Sequence, residues 1–205
     1  MLRSVEPADA EELCALMGSN QHHLRPWIDW ARDMPRTLDA TLDVVRRMRG
    51  RFDTGESFSY VVIHKDTNTM IGGTMLAPVV ADASATLGYW LAEASTHQGY
   101  ATEAVGALLT AAFEVEHLEL VEIHCAVQNE RSARVATRAG FVFDGTQRAR
   151  LRSEEGTRTD RMTWSMLRKE YESTRATRTD VWAFDALGRT LVEPAAVSRR
   201  GSPFR

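Results

Sequence analysis

The sequence predicts an α/β domain, a mixed and mainly antiparallel sheet of six to seven strands flanked by helices. Three observations carry that prediction. Three β-rich runs follow one another between Phe58 and Leu91, separated by short turn clusters. An amphipathic helix then starts near Tyr100, with Ala101, Ala104, Val105, Leu108, Leu109, Ala112 and Phe113 at helical spacing. Strand signals return at 120–127, 141–143 and 159–167, around a short helix from Ser132 to Ala139 that Gly140 stops.

Taken in order, residues 1–6 read as a short edge strand, and Pro7-Ala8-Asp9 opens a helix with Leu13, Leu16 and Met17 on one face. Gly18-Ser19-Asn20 ends that helix. The stretch from His22 to Trp30 sets two tryptophans beside a proline. A second helical pattern runs from Thr37 to Arg49 through Leu38, Leu42, Val45 and Met48, and Arg46, Arg47, Arg49 and Arg51 read as its solvated face and end. Phe58–Ile63, Met70–Leu76 and Ala85–Leu91 form a meander, with Lys65-Asp66-Thr67-Asn68-Thr69 as one turn. Residues 1–172 make the domain. From Ser173 onward the chain turns polar, a small hairpin is expected across Val181–Val192, and Ser198–Pro203 reads as disordered.

Bulk properties narrow the function. A chain of 205 residues carries one domain with a sizeable core. Its net charge of -3 and pI of about 6.1 argue against a broad nucleic-acid-binding face. Two widely spaced cysteines, Cys14 and Cys125, make no disulfide framework, so a cytoplasmic setting is expected. No apolar run reaches the ~18 residues of a membrane span, and the six histidines show no metal-ligand spacing.

Two segments carry chemistry. In the first, strand Tyr89-Trp90-Leu91 leads through His97-Gln98-Gly99-Tyr100-Ala101-Thr102 into the long helix. A helix N-terminus presents unpaired N–H groups and a positive dipole end, and small residues such as Gly99 and Ala101 let a pyrophosphate approach. An ordinary strand-to-helix turn explains the same residues equally well. The turn lacks the Gly-Lys-Ser/Thr ending of a P-loop and the repeated glycines of a dinucleotide fingerprint. In the second segment, Asn129 is placed to cap a helix whose third residue is Ser132. Capping accounts for both, and it leaves the serine hydroxyl available to a ligand.

Read together, "HLRPWIDW" (His23–Trp30), "LGYWLAEASTHQGYATEAV" (Leu87–Val105), "NERSARVATRAGF" (Asn129–Phe141) and "DGTQR" (Asp144–Arg148) resemble the GNAT superfamily of acyl-coenzyme A N-acetyltransferases. Within it they are most similar to the RimJ/RimL group of ribosomal-protein N-terminal acetyltransferases. The likeness covers roughly residues 1–170, in the same order. It implies acetyl-coenzyme A as acyl donor, with the pyrophosphate on the loop from His97 to Thr102. It implies pantetheine beside Tyr89, Trp90 and Leu91, with Asn129 and Ser132 near the sulfur. It also implies a sheet splayed between its fourth and fifth strands, and a homodimer or higher homo-oligomer.

The chain departs from the family pattern at Thr96, where Gln or Arg is common, and at Leu151, where some members place an acid among what are here Arg148, Arg150 and Arg152. The expected reaction is direct attack by a neutral amine. The Leu91 backbone N–H would stabilise the oxyanion, Ser132 would serve the departing thiolate, and Glu93 or Glu154 would act through water as base. An acyl-enzyme on Cys125 is disfavoured, because His124, its neighbour on a strand, points to the other face. Trp27, His23 and Tyr89 are expected to line the acceptor site, and Trp30 is expected in the core. The acceptor is expected to be a protein N-terminus, with a small amine such as an antibiotic, amino acid or polyamine as the alternative. A non-catalytic acyl-coenzyme A sensor is the reading from another class.

Overall fold

A computed structural model describes residues 1–34, 36–174 and 181–194. The strands are β1 (Leu2–Ser4), β2 (Phe58–Ile63), β3 (Met70–Val79), β4 (Ser84–Leu91), β5 (Leu120–Ala126), β6 (Val142–Arg152) and β7 (Arg158–Leu167). They form one sheet in the order β1-β2-β3-β4-β5-β7-β6, antiparallel throughout except for the parallel pair β4/β5. The helices are α1 (Ala10–Ser19), α2 (Gln21–Leu24), α3 (Leu38–Asp53), α4 (Tyr100–Thr110), α5 (Glu130–Ala139) and α6 (Arg168–Thr174). A two-stranded hairpin, β8 (Ala183–Phe184) with β9 (Thr190–Val192), follows.

Alternation along the strands divides the core between the two faces of the sheet. Leu76, Leu87, Val121, Ile123 and Met166 turn towards α4, whose Val105, Leu108 and Leu109 are fully buried with them. Val61, Ile63 and Met70 turn the other way, against Leu13 and Met17 of α1 and Val45 of α3. The α3 helix starts where Thr37 caps it, its hydroxyl accepting from the Ala40 N–H at 3.2 Å. Burying the Leu108 side chain alone favours folding by roughly 1.5–3 kcal/mol.

The β4/β5 pair is where the sheet opens. Their pairing covers Ser84/Leu120, Ala85/Val121 and Thr86/Glu122 and then stops. The strands run on to Leu91 and Ala126 on either side of a gap. The splay therefore lies between the fourth and fifth strands, as the resemblance implied.

Some boundaries differ from the sequence reading. β6 runs on to Arg152 by pairing with β7, far beyond the expected Phe141–Phe143; exposed along most of its length, it carries no apolar alternation to mark it in the sequence. A register shift between Gln147 and Leu151, with Ala149 at φ 58°, bends it. α6, which the sequence reading did not mark, spans Arg168–Thr174. Trp27 lies in a turn after α2 and is 42% exposed, and Trp30 sits on a 3-10 turn spanning Asp29–Asp33. The expected disorder at Ser198–Pro203 lies outside the described residues.

Candidate active site in the split sheet

A cavity of about 590 Å³ passes through the gap, lined on one side by Trp30 and Met48 and on the other by Tyr100 and Val135. At one end, His97 (φ 63°) and Gly99 (φ 88°) both adopt left-handed conformations and throw the chain into α4. The N–H groups of Tyr100, Ala101 and Thr102 then begin a helix without partners inside it. An added Cβ at Gly99 would meet nothing within 4 Å, so the space beside these amides is open. His97 and Gln98 are exposed, and Gln98 is tied by its side chain to the Ala94 carbonyl at 2.9 Å. Tyr100 turns its hydroxyl to His64 Nε2 at 2.9 Å, which anchors the first turn of α4 to the β2–β3 turn.

Across the gap, Asn129 caps α5 by accepting from the Ser132 N–H at 3.1 Å. The Ser132 hydroxyl meets the Tyr89 hydroxyl at 2.8 Å. Burial pushes the Tyr89 phenol up to about 12, against a smaller lowering by Ser132, so it is a proton donor at neutral pH. Cys125 lies beside the same pair, and burial pushes its thiol up as well. The structure therefore gathers Tyr89, Asn129, Ser132 and Cys125 at one place. Arg131, Arg134 and Arg138 of α5 also line the cavity, a cationic edge that the sequence reading missed although their spacing puts them on one helix face.

Ala92 N–H bonds the Ile71 carbonyl at 2.8 Å. Antiparallel pairs bond β3 at every second residue, so Trp90 is the next to do so, and the N–H groups of Tyr89 and Leu91 turn towards the gap. The approach of β4 to β3 is close here. An added Cβ at Gly72 would stand 2.2 Å from the Trp90 carbonyl oxygen, and one at Gly73 would stand 2.8 Å from Trp90 Nε1. The Trp90 ring packs edge-on against Trp30, with centroids 5.6 Å apart.

The opposite face of the gap is walled by residues 22–32 and by the β6–β7 ribbon. Arg25 pairs with Glu154 at 2.9 Å, and Arg32 donates to the Arg152 carbonyl at 2.7 Å, so the ribbon meets the tryptophan segment. Trp27, His23 and Leu151 line the cavity, whereas Glu93 and Glu154 do not. His23 and Trp27 also share a smaller polar pocket with Glu93 and Arg131. Burial holds His23 below its ordinary value despite the opposing field of Glu93.

A family model for the acetyltransferase (GNAT) domain matches residues 1–142. The chain belongs to the GNAT acetyltransferase family. It is 31% identical over 173 residues to YdaF of Bacillus subtilis (strain 168), a candidate ribosomal N-acetyltransferase, covering 83% of this chain and 92% of that one. It is 23% identical over 159 residues to the ribosomal-protein-serine acetyltransferase of Escherichia coli (strain K12), covering 71% and 86%. In fold it is similar to RimL, the ribosomal L7/L12 alpha-N-protein acetyltransferase, solved with coenzyme A, at a TM-score of 0.76 and 23% identity over 81% of this chain and 92% of that one. The chain is thus an N-acetyltransferase with acetyl-coenzyme A as donor. Among the described residues, no group of three or more His, Cys, Asp or Glu could hold a metal, and no helix is long and apolar enough to cross a membrane.

Proposed function

We propose that this enzyme acetylates the N-terminal α-amine of a protein, with ribosomal proteins as the first acceptor class. The observation that carries it is a gap that opens on both faces of the sheet, with the first amides of α4 on one and His23, Trp27 and Leu151 on the other. The names of the relatives add support. Acetyl-coenzyme A supplies an already activated thioester.

The chain's own residues then bind and orient. Amides from His97 to Thr102 hold the diphosphate, helped by Arg131 and Arg138. Trp90 and Leu91 flank the pantetheine, and the Leu91 N–H faces the acyl oxygen. The Tyr89–Ser132 pair gives a proton to the departing sulfur, which moves Tyr89 from the acceptor site to the donor side. Trp27 and His23 guide the acceptor. Orientation of this kind supplies much of the acceleration.

A mass-spectrometric acceptor screen with labelled acetyl-coenzyme A tests the reading. Label on peptides with free N-termini, and none on aminoglycosides or polyamines, is the expected result. The reverse pattern overturns it. A small-amine acceptor is favoured by one observation, the Arg25–Glu154 bridge that narrows the acceptor-side mouth.

The proposal extends to a cytoplasmic homodimer of a domain spanning residues 1–172. Free Cys14 and Cys125 support the compartment. The exposed Trp182, Phe184 and Leu187 support the hairpin as its contact. A truncated chain that keeps the full-length assembly state removes the contact.

A further inference from the structure

Strand alternation puts Val121, Ile123 and Cys125 on the α4 face of β5, so Glu122 and His124 stand on the acceptor face. Glu122 belongs to the last residue pair between β4 and β5. His124 is therefore the first acceptor-face side chain beyond the point where the sheet opens, and it lines the cavity. Its Nε2 lies 3.3 Å from Glu122 Oε2. With Nε2–H donated to Glu122, Nδ1 carries the lone pair.

Directly opposite on β7 is Thr163, whose Oγ1 is buried without a hydrogen-bond partner. Two charged groups act on the imidazole, Glu122 on its own strand and Arg161 on β7. Thr163 of β7, Thr86 and Gly88 of β4, and Leu151 of β6 bring no charge. Burial first, and then Arg161, hold His124 below its ordinary value against the opposing pull of Glu122. The ring is neutral at physiological pH, the form a base requires.

We propose that His124, oriented by Glu122, accepts the proton of the acceptor amine, on the face of the sheet opposite Cys125 and the Tyr89–Ser132 pair. The inference rests on the acetyltransfer reading above. The amine's proton passes to His124 Nδ1 as the C–N bond forms and the C–S bond breaks. The sulfur takes its proton from the Tyr89–Ser132 hydroxyls. His124 then loses its proton to water and the hydroxyl pair regains one. Glu122 is a positioning residue. Of the alternative carboxylates, Glu154 is engaged by Arg25, and Glu93 sits in the smaller pocket with His23, outside the cavity that His124 lines.

The experiment is a kcat–pH profile at saturating peptide acceptor, with acetyl-coenzyme A affinity measured calorimetrically on each variant. His124→Gln should lower kcat at pH 7 by about 10²-fold and remove the acid limb, with donor affinity unchanged. Glu122→Gln removes the group that raises the histidine, so the limb moves to lower pH. Arg161→Gln removes one that lowers it, so the limb moves to higher pH. These two variants retain the imidazole and decide the matter even where His124→Gln fails to fold. Limbs that stay fixed in both, or a His124→Gln enzyme with the wild-type profile, overturn the histidine's role alone. A wild-type enzyme that binds acetyl-coenzyme A and acetylates no amine overturns the acetyltransfer reading with it.

Discussion

Replacing Gly72 by alanine tests whether the geometry of β4 sets the rate. The new Cβ would lie 2.2 Å from the Trp90 carbonyl oxygen and 2.9 Å from the Leu91 Cα. Ordinary contact begins at 3.4 Å, so at least 1.2 Å of relief is needed (3.4 minus 2.2). The obstructing atoms are backbone, so β4 itself must move at Trp90–Leu91, beside the gap. A displacement of about 1 Å in a reacting site costs on the order of 10²-fold in rate. Overpacking adds a stability loss of about 1–3 kcal/mol. Each kcal/mol lowers Tm by roughly 2–4 °C in a chain of this size. Steady-state kcat/KM with a free-N-terminus peptide, read beside a thermal melt, checks both numbers. Gly73→Ala is the comparison: its Cβ would press on the Trp90 ring, a side chain, and leave the β4 backbone in place, so it should cost less turnover than Gly72→Ala. A Gly72→Ala enzyme with wild-type kcat/KM and Tm refutes the reasoning.

Tyr89→Phe should cut kcat by about 10²-fold while leaving acetyl-coenzyme A affinity unchanged by calorimetry. Because burial pushes the phenol up to about 12, its deprotonation should give the wild-type kcat profile no basic limb below pH 10. Cys125→Ala should keep turnover within about threefold, since a thiol raised by burial is a poor nucleophile. A folded variant without activity would favour an acyl-enzyme. Asp9 gives an acid-stability prediction. Burial raises its carboxyl, but the Arg3 guanidinium at 2.7 Å and the Glu6 N–H outweigh that and hold it below the usual range. A lowered folded value stabilises the fold above the unfolded pKa, and the benefit disappears as pH falls through the folded one. Asp9→Asn should therefore lower Tm at pH 7 and flatten its loss on acidification, as followed by circular dichroism.

Much of this architecture was legible because burial writes periodicity into sequence. β5 buries one face and α4 one stripe, so their patterns of two and 3.6 residues survive in the text, whereas β2 and β3, buried on both faces, read as short apolar β-rich runs. β6 left no such trace, since a ribbon wet on most of its length has no reason to alternate. Asn129 and Ser132 could be read because a cap has chemistry of its own. Their link to Tyr89 joins residues 43 apart and depends on where two strands separate, which no local pattern records. Nothing local marked Glu122 and His124, whose value comes from the point where β4/β5 pairing stops. Gly72 and Gly73 resembled any glycines in a strand until the carbonyl and indole of Trp90 were seen against them.

The opening through the sheet has a consequence for how such a catalyst changes over time. On the proposed reading, the turn at 96–102 grips the donor while residues 22–32 and the β6–β7 ribbon wall the recipient, and the two rims meet where His23 and Trp27 share a pocket with Arg131. Substitutions around the second rim can redirect the enzyme to a new recipient while the first goes on gripping the same carrier.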